Sequence, residues 1–109
     1  MTPNELNQGP IQSDFDGDPQ MRELIELFVS QMPSKATQLS ALFEGQQLDE
    51  LQRLAHQLKG AAGGYGFGVI SEAAADLERS IKAEAELESM RSQIDQLIDL
   101  CQRTSADSH

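Results

Sequence analysis

The sequence predicts an all-α fold, an antiparallel four-helix bundle with an additional N-terminal helix. Apolar residues recur at steps of three and four positions along most of the chain, which is the spacing of one helix face. No stretch alternates between apolar and polar residues as a strand does, and the polar connections are short, which favours antiparallel neighbours. We divide the chain into an extended lead-in (1–18), the bundle (19–104) and a polar tail (105–109), frayed from about Thr104 onward.

The first predicted helix begins after the lead-in, whose Ile11 and Phe15 are expected to contact the bundle. Asp18 and Pro19 are residue types typical of an N-cap and of a first helical position. Proline inside a helix lacks the amide hydrogen that the helical ladder uses, so Pro33 is expected to end or kink this helix.

Four more helices are predicted after Pro33. The second carries an apolar stripe that stops near Gly45, and the third spans residues 47–65. Gly66 is placed to close the third helix in the left-handed conformation that glycine adopts easily. The fourth follows Gly68, and the fifth runs over residues 85–103.

Composition excludes several classes of function. The chain has 109 residues, the size of one domain, and a net charge of -10, which disfavours binding to nucleic acid or to an anionic membrane. Its single cysteine, Cys101, lies on an apolar stripe and reads as a core residue in a reducing compartment. No apolar run is long enough to span a membrane, and no signal peptide is recognisable. We therefore expect a cytoplasmic protein.

The third predicted helix carries the residues that suggest chemistry. At 100° per residue, its apolar positions centre about 200° from His56, so the histidine is expected to face away from the core. The positions within about 60° of His56 form one exposed face: Asp49, Gln52, Arg53, Lys59, Gly60 and Gly63.

Glycines on this exposed face require a reason, because each costs a helix roughly 1 kcal/mol relative to alanine. Gly60 and Gly63 would leave the imidazole of His56 open to a partner, although close helix packing is an alternative reason for Gly63, Gly64 and Gly66. Gly64 has no assigned role.

The chemistry that this face suggests is phosphoryl transfer. Neutral imidazole is a nucleophile near neutral pH, and a lysine three residues away can pair with phosphoryl oxygens. The sequence has no phosphate-binding loop of the kind that binds ATP, so a phosphoryl group would come from another protein.

These residues resemble a known family. The pattern His56-x-Leu58-Lys59-Gly60-Ala61-Ala62-x-x-x-Gly66 is similar to the signature of histidine-containing phosphotransfer domains, the intermediates of two-component phosphorelays. The resemblance extends from about residue 11 to 103 and includes these further residues: Asp18-Pro19, Phe28, Pro33 and Ala73-Ala74-x-x-Leu77-Glu78.

The resemblance implies a function for individual residues. His56 would accept a phosphoryl group from the aspartate of a receiver domain and pass it to a second receiver. Lys59 would neutralise phosphoryl charge, and Gly60 would give the receiver access. From the exposed face around His56, we expect the following residues to dock the partner: Gln52, Arg53, Lys59, Gly60 and Gly63.

The resemblance also implies the partners and the cofactor requirement. The partners would be receiver domains of response regulators and a hybrid histidine kinase. The protein would be a stand-alone, monomeric relay protein without kinase activity. It would need no cofactor of its own, since the magnesium ion used in transfer belongs to the receiver.

Two other functions are compatible with an exposed histidine on a helical bundle. A helical adaptor could bind a signalling partner without phosphorylation, with His56 as part of the docking face. A metal or haem site would need a second strong ligand, and the other histidine is His109 in the tail, so no metal site is expected. Which group orients the imidazole, Gln57 or a residue of another helix, stays open.

Overall fold

The computed structural model describes residues 9–105. This part of the chain contains four helices and two short strands, in the following order: β1 (Ile11–Gln12), α1 (Arg22–Glu44), α2 (Leu48–Gly64), α3 (Gly68–Lys82), α4 (Leu87–Gln102) and β2 (Thr104–Ser105). The predicted all-α helical bundle is therefore confirmed, while the antiparallel arrangement stays a prediction. No helix among the described residues has the length and apolar character to cross a membrane.

A single hydrophobic core lies between the four helices. α2 packs most extensively against α3, and α4 packs against both α1 and α3. Each helix contributes one buried apolar face, as the spacing of its apolar residues requires. This packing leaves the opposite face of α2 open to solvent.

The two helices predicted on either side of Pro33 form one continuous helix of 23 residues, so the additional N-terminal helix is not found. The buried residues of α1 continue through the proline at steps of three and four: Ile25, Phe28, Met32, Ala36, Leu39 and Phe43. A proline in a helix interior costs about 3 kcal/mol, whereas each buried large apolar side chain contributes about 1.5–3 kcal/mol. Packing of the whole stripe outweighs the local cost.

The start of α1 also differs from the prediction. The regular helix begins at Arg22, with Met21 at the N-cap and no side-chain cap. Asp18 instead accepts a hydrogen bond from the amide of Gln20 at 2.9 Å, which forms a turn ahead of the helix. The acceptor role predicted for Asp18 is present, but it stabilises this turn.

Gly66 closes α2 in the predicted manner. Its φ of +86° lies in the left-handed region. The amide of Phe67 donates to the carbonyl of Ala62 at 2.8 Å, and the amide of Gly66 donates to Gly63 at 3.4 Å, the two bonds of a Schellman motif. Phe67 is then buried and stacks on Phe28 with ring centroids 5.0 Å apart.

The lead-in and the start of the tail are paired, contrary to the expectation that no strand forms and that Thr104 is frayed. Ile11 lies opposite Thr104 and Gln12 opposite Ser105 in a parallel pair. Ile11 is half-buried against the core, while Phe15 remains 42% exposed and approaches Gly66. Because a two-residue pair has almost no alternating pattern, sequence periodicity does not reveal it. The rest of the predicted tail, 106–109, lies outside the described residues.

Candidate functional site

His56 lies on the solvent face of α2, where the helical spacing predicts it. Its side chain is 65% exposed, whereas the neighbouring Ala55 and Leu58 are buried in the core. The histidine therefore makes little contribution to the core, and its ring is accessible to a partner.

Glu78 of α3 holds the imidazole in place. Its side chain is only 7% exposed, and its Oε2 lies 2.9 Å from Nδ1 of His56. Lys59 donates a hydrogen bond from Nζ to the other oxygen, Oε1, at 3.0 Å, and Nζ of Lys82 lies 3.4 Å from Oε2. One nearly buried carboxylate thus joins the histidine and the two lysines.

This arrangement determines the ionisation state of Glu78. The pKa of the carboxyl group is lowered from 4.5 to about 2, mainly by the hydrogen bond from Lys59. Burial raises this pKa, but the hydrogen bonds with His56 and Lys82 lower it further. Glu78 is therefore a carboxylate at neutral pH. A buried carboxylate without cations would instead have a raised pKa.

The ionised carboxylate in turn decides the tautomer of His56. A carboxylate only accepts hydrogen bonds, so the shared proton sits on Nδ1 of the imidazole. In the neutral ring the lone pair then lies on Nε2. No described residue forms a hydrogen bond with Nε2, so the nucleophilic nitrogen of an exposed ring is free to react.

The predicted glycines divide into two groups. A Cβ atom at Gly60 or at Gly64 would meet no atom within 4 Å, so the fold does not need glycine at either position. A Cβ atom at Gly63 would lie 3.3 Å from Oγ of Ser71, a serine of α3 that donates a hydrogen bond to the carbonyl of Lys59 at 2.9 Å. Gly63 therefore allows α2 and α3 to approach closely, and Gly60 leaves the surface beside His56 bare.

The remaining predicted docking residues lie on the same helix as His56. Arg53 is exposed and Gln52 is half-buried, three and four residues before the histidine. Gln57, the other candidate for orienting the ring, is exposed and lines a groove between α1 and α2 together with Lys35 and Tyr65. Nδ1 donates its hydrogen bond to Glu78 on α3, so a residue of another helix orients the imidazole.

Sequence reasoning did not assign a role to Glu78. A signal was present, because Glu78 continues the buried stripe of α3 formed by Ala74, Leu77 and Ile81. Glutamate is almost never buried unless it is paired, so a glutamate at a core position predicts cationic partners nearby. Its partners on α2 become visible only when the two helices are packed together.

Comparison with known families agrees with this geometry. The model of the Hpt domain family matches residues 23–107, which is most of the chain. Comparisons with curated proteins and with solved structures gave no significant match. The exposed histidine and the helical bundle agree with this match. The chain therefore belongs to the Hpt domain family, whose members take part in histidine phosphotransfer in two-component signalling.

Proposed function

We propose that this protein is a phosphorelay intermediate that accepts a phosphoryl group from a receiver aspartate onto His56 and transfers it to the aspartate of another receiver. The observation that carries the proposal is the orientation of His56. Its Nδ1–H is held by Glu78, 2.9 Å away, and the ring that carries Nε2 is 65% exposed. Family membership supports the class of chemistry.

In the proposed step, the lone pair of Nε2 attacks the phosphorus of a phosphoaspartate. The N–P bond forms as the bond between phosphorus and the aspartate oxygen breaks, and the aspartate leaves as a carboxylate. No proton has to be removed from the ring, because the proton already sits on Nδ1. The second transfer is the same reaction in reverse, toward a different receiver.

Lys59 would assist by charge. Its Nζ donates to Glu78, and its side chain is 37% exposed, so a further hydrogen of the ammonium group can reach a phosphoryl oxygen. Gly60 leaves bare backbone one helical turn after His56, where a receiver loop could approach. We propose Gln52, Arg53 and Gly63 as the neighbouring contacts of the docked receiver.

We also propose the source of the magnesium ion and of the phosphoryl group, and the location and oligomeric state of the protein. The magnesium ion would be supplied by the receiver, and the phosphoryl group by a hybrid histidine kinase acting through a receiver. The protein itself would be a cytoplasmic monomer without kinase activity.

The direct test is to incubate the purified protein with a phosphorylated receiver and to measure acid-labile, base-stable phosphate on the protein. We expect the wild type to become labelled and His56→Gln to stay unlabelled. His109→Gln is the matched control, since it replaces the other histidine of the chain, and it should be labelled like the wild type. Labelling of His56→Gln would overturn the proposal. If no receiver of the source organism labels the wild type, the alternative function of a helical adaptor that binds its partner without phosphorylation would be favoured.

A further inference from the structure

We propose that Glu78 is a positioning residue that keeps the phosphorylated ring of His56 in its imidazolium form, and thereby keeps the phosphoryl group on Nε2 transferable. This inference rests on the phosphorylation of His56 proposed above. It concerns the state of the ring after transfer, which determines how readily the phosphoryl group leaves again.

The charge balance of the step leads to this inference. Before transfer the ring is neutral, with its proton on Nδ1. After Nε2 bonds to phosphorus, Nδ1 still carries that proton, so the ring bears a positive charge. If the proton is kept, the ring later departs from phosphorus as neutral imidazole. If Nδ1 loses it, the ring would have to depart as an imidazolate anion, which is a far poorer leaving group.

Glu78 is the group that can retain this proton. Its Oε2 lies 2.9 Å from Nδ1, and its own side chain is only 7% exposed, so water screens the carboxylate weakly although the ring itself faces solvent. An opposite charge at this distance favours the charged form of the ring.

The cations nearest the ring act in the opposite direction. Lys59 and Arg53 each lie three residues from His56 on α2, and Lys82 reaches the same carboxylate from α3. Lys35 of α1 lines a groove that includes Gln57, and Asp49 lies seven residues before His56, so both are farther along their helices from the ring. These cations disfavour a positive ring. Glu78 is the carboxylate that contacts the ring in the described part of the chain, so the charge of the phosphorylated ring depends on it.

The test uses a small phosphoryl donor, so that it does not depend on any receiver. His56 is phosphorylated with phosphoramidate in the wild type and in Glu78→Gln. The ring protonation of each phosphorylated protein is then followed by NMR as a function of pH. The glutamine side-chain oxygen can still accept the hydrogen bond from Nδ1, so this substitution removes the charge and keeps the orientation.

We expect the midpoint of ring deprotonation in the phosphorylated protein to fall by about one to two pH units in Glu78→Gln. At a pH between the two midpoints, the phosphoryl group on the variant should persist longer and transfer more slowly. Glu72→Gln removes an exposed carboxylate from the same helix and is the matched control. It should titrate like the wild type.

An unchanged midpoint in a folded Glu78→Gln would overturn the inference, and so would a wild-type ring that phosphoramidate does not modify. If Glu78→Gln does not fold, Glu78→Asp retains the charge at a longer distance and should lower the midpoint by a smaller amount. A midpoint in Glu78→Asp equal to that of the wild type would then count against the inference. A shift as expected, without transfer from any receiver, would support the inference while the proposed function fails.

Discussion

The contacts of Glu78 with Lys59, His56 and Lys82 should make folding stability depend strongly on pH below about 5. The pKa of Glu78 is lowered from 4.5 to about 2 in the folded protein, and the side chain is only 7% exposed. A group with a lowered folded pKa stabilises the protein above its unfolded pKa, and this contribution is lost as the pH falls through the folded value. At 1.36 kcal/mol per pKa unit, the interval from 4.5 to about 2 corresponds to about 3 kcal/mol.

Urea unfolding of the wild type and of Glu78→Gln, measured from pH 7 to pH 2, tests this expectation. Because the chain has 18 aspartate and glutamate residues, the informative quantity is the difference in unfolding free energy between the two proteins. The wild type should lose about 3 kcal/mol more than the variant as the pH falls from about 5 to about 2. Glu72→Gln should follow the wild type. Parallel loss of stability in the wild type and in Glu78→Gln would refute the reasoning.

Three further predictions concern α2. Gly66→Ala should destabilise the fold by at least about 1–2 kcal/mol in urea unfolding, because φ is +86° and a Cβ atom would lie 2.9 Å from the amide nitrogen of Asp14. The control is Gly64→Ala, at a helical position where a Cβ atom would meet no other atom within 4 Å. This change should be neutral or stabilise the fold by up to about 1 kcal/mol. Gly60→Gln should slow transfer from a phosphorylated receiver without loss of stability, and a large loss of stability would indicate a structural role. Lys59→Met should slow transfer by about tenfold or more, since a charge-assisted hydrogen bond contributes about 1.5–3 kcal/mol, and an unchanged rate would contradict the role given to Lys59.

Much of the helical architecture follows from local patterns in the sequence. The third predicted helix, 47–65, differs by one residue at each end from α2 (Leu48–Gly64). The left-handed conformation of Gly66, which ends α2, likewise follows from a glycine placed after an apolar run. These features depend on helical periodicity and on the backbone freedom of glycine, and both act over a few neighbouring residues.

Pro33 and Thr104 show where local reasoning fails. Proline disfavours a helix locally, but the apolar stripe of α1 continues through it and is buried along its whole length. Thr104 looks like part of a polar tail, but it pairs with Ile11, a residue from the other end of the described chain. In each case contacts between distant segments outweigh the local preference.

The sequence by itself determined that His56 faces solvent and that Lys59 and Gly60 lie beside it, because helical periodicity places all of these residues on one helix. Only the tertiary structure decided which nitrogen of the ring is free to react. That choice depends on Glu78, which is 22 residues from His56 along the chain and reaches Nδ1 only because α3 packs against α2. The packing buries the carboxylate among cations, keeps it ionised and so places the proton of His56 on Nδ1.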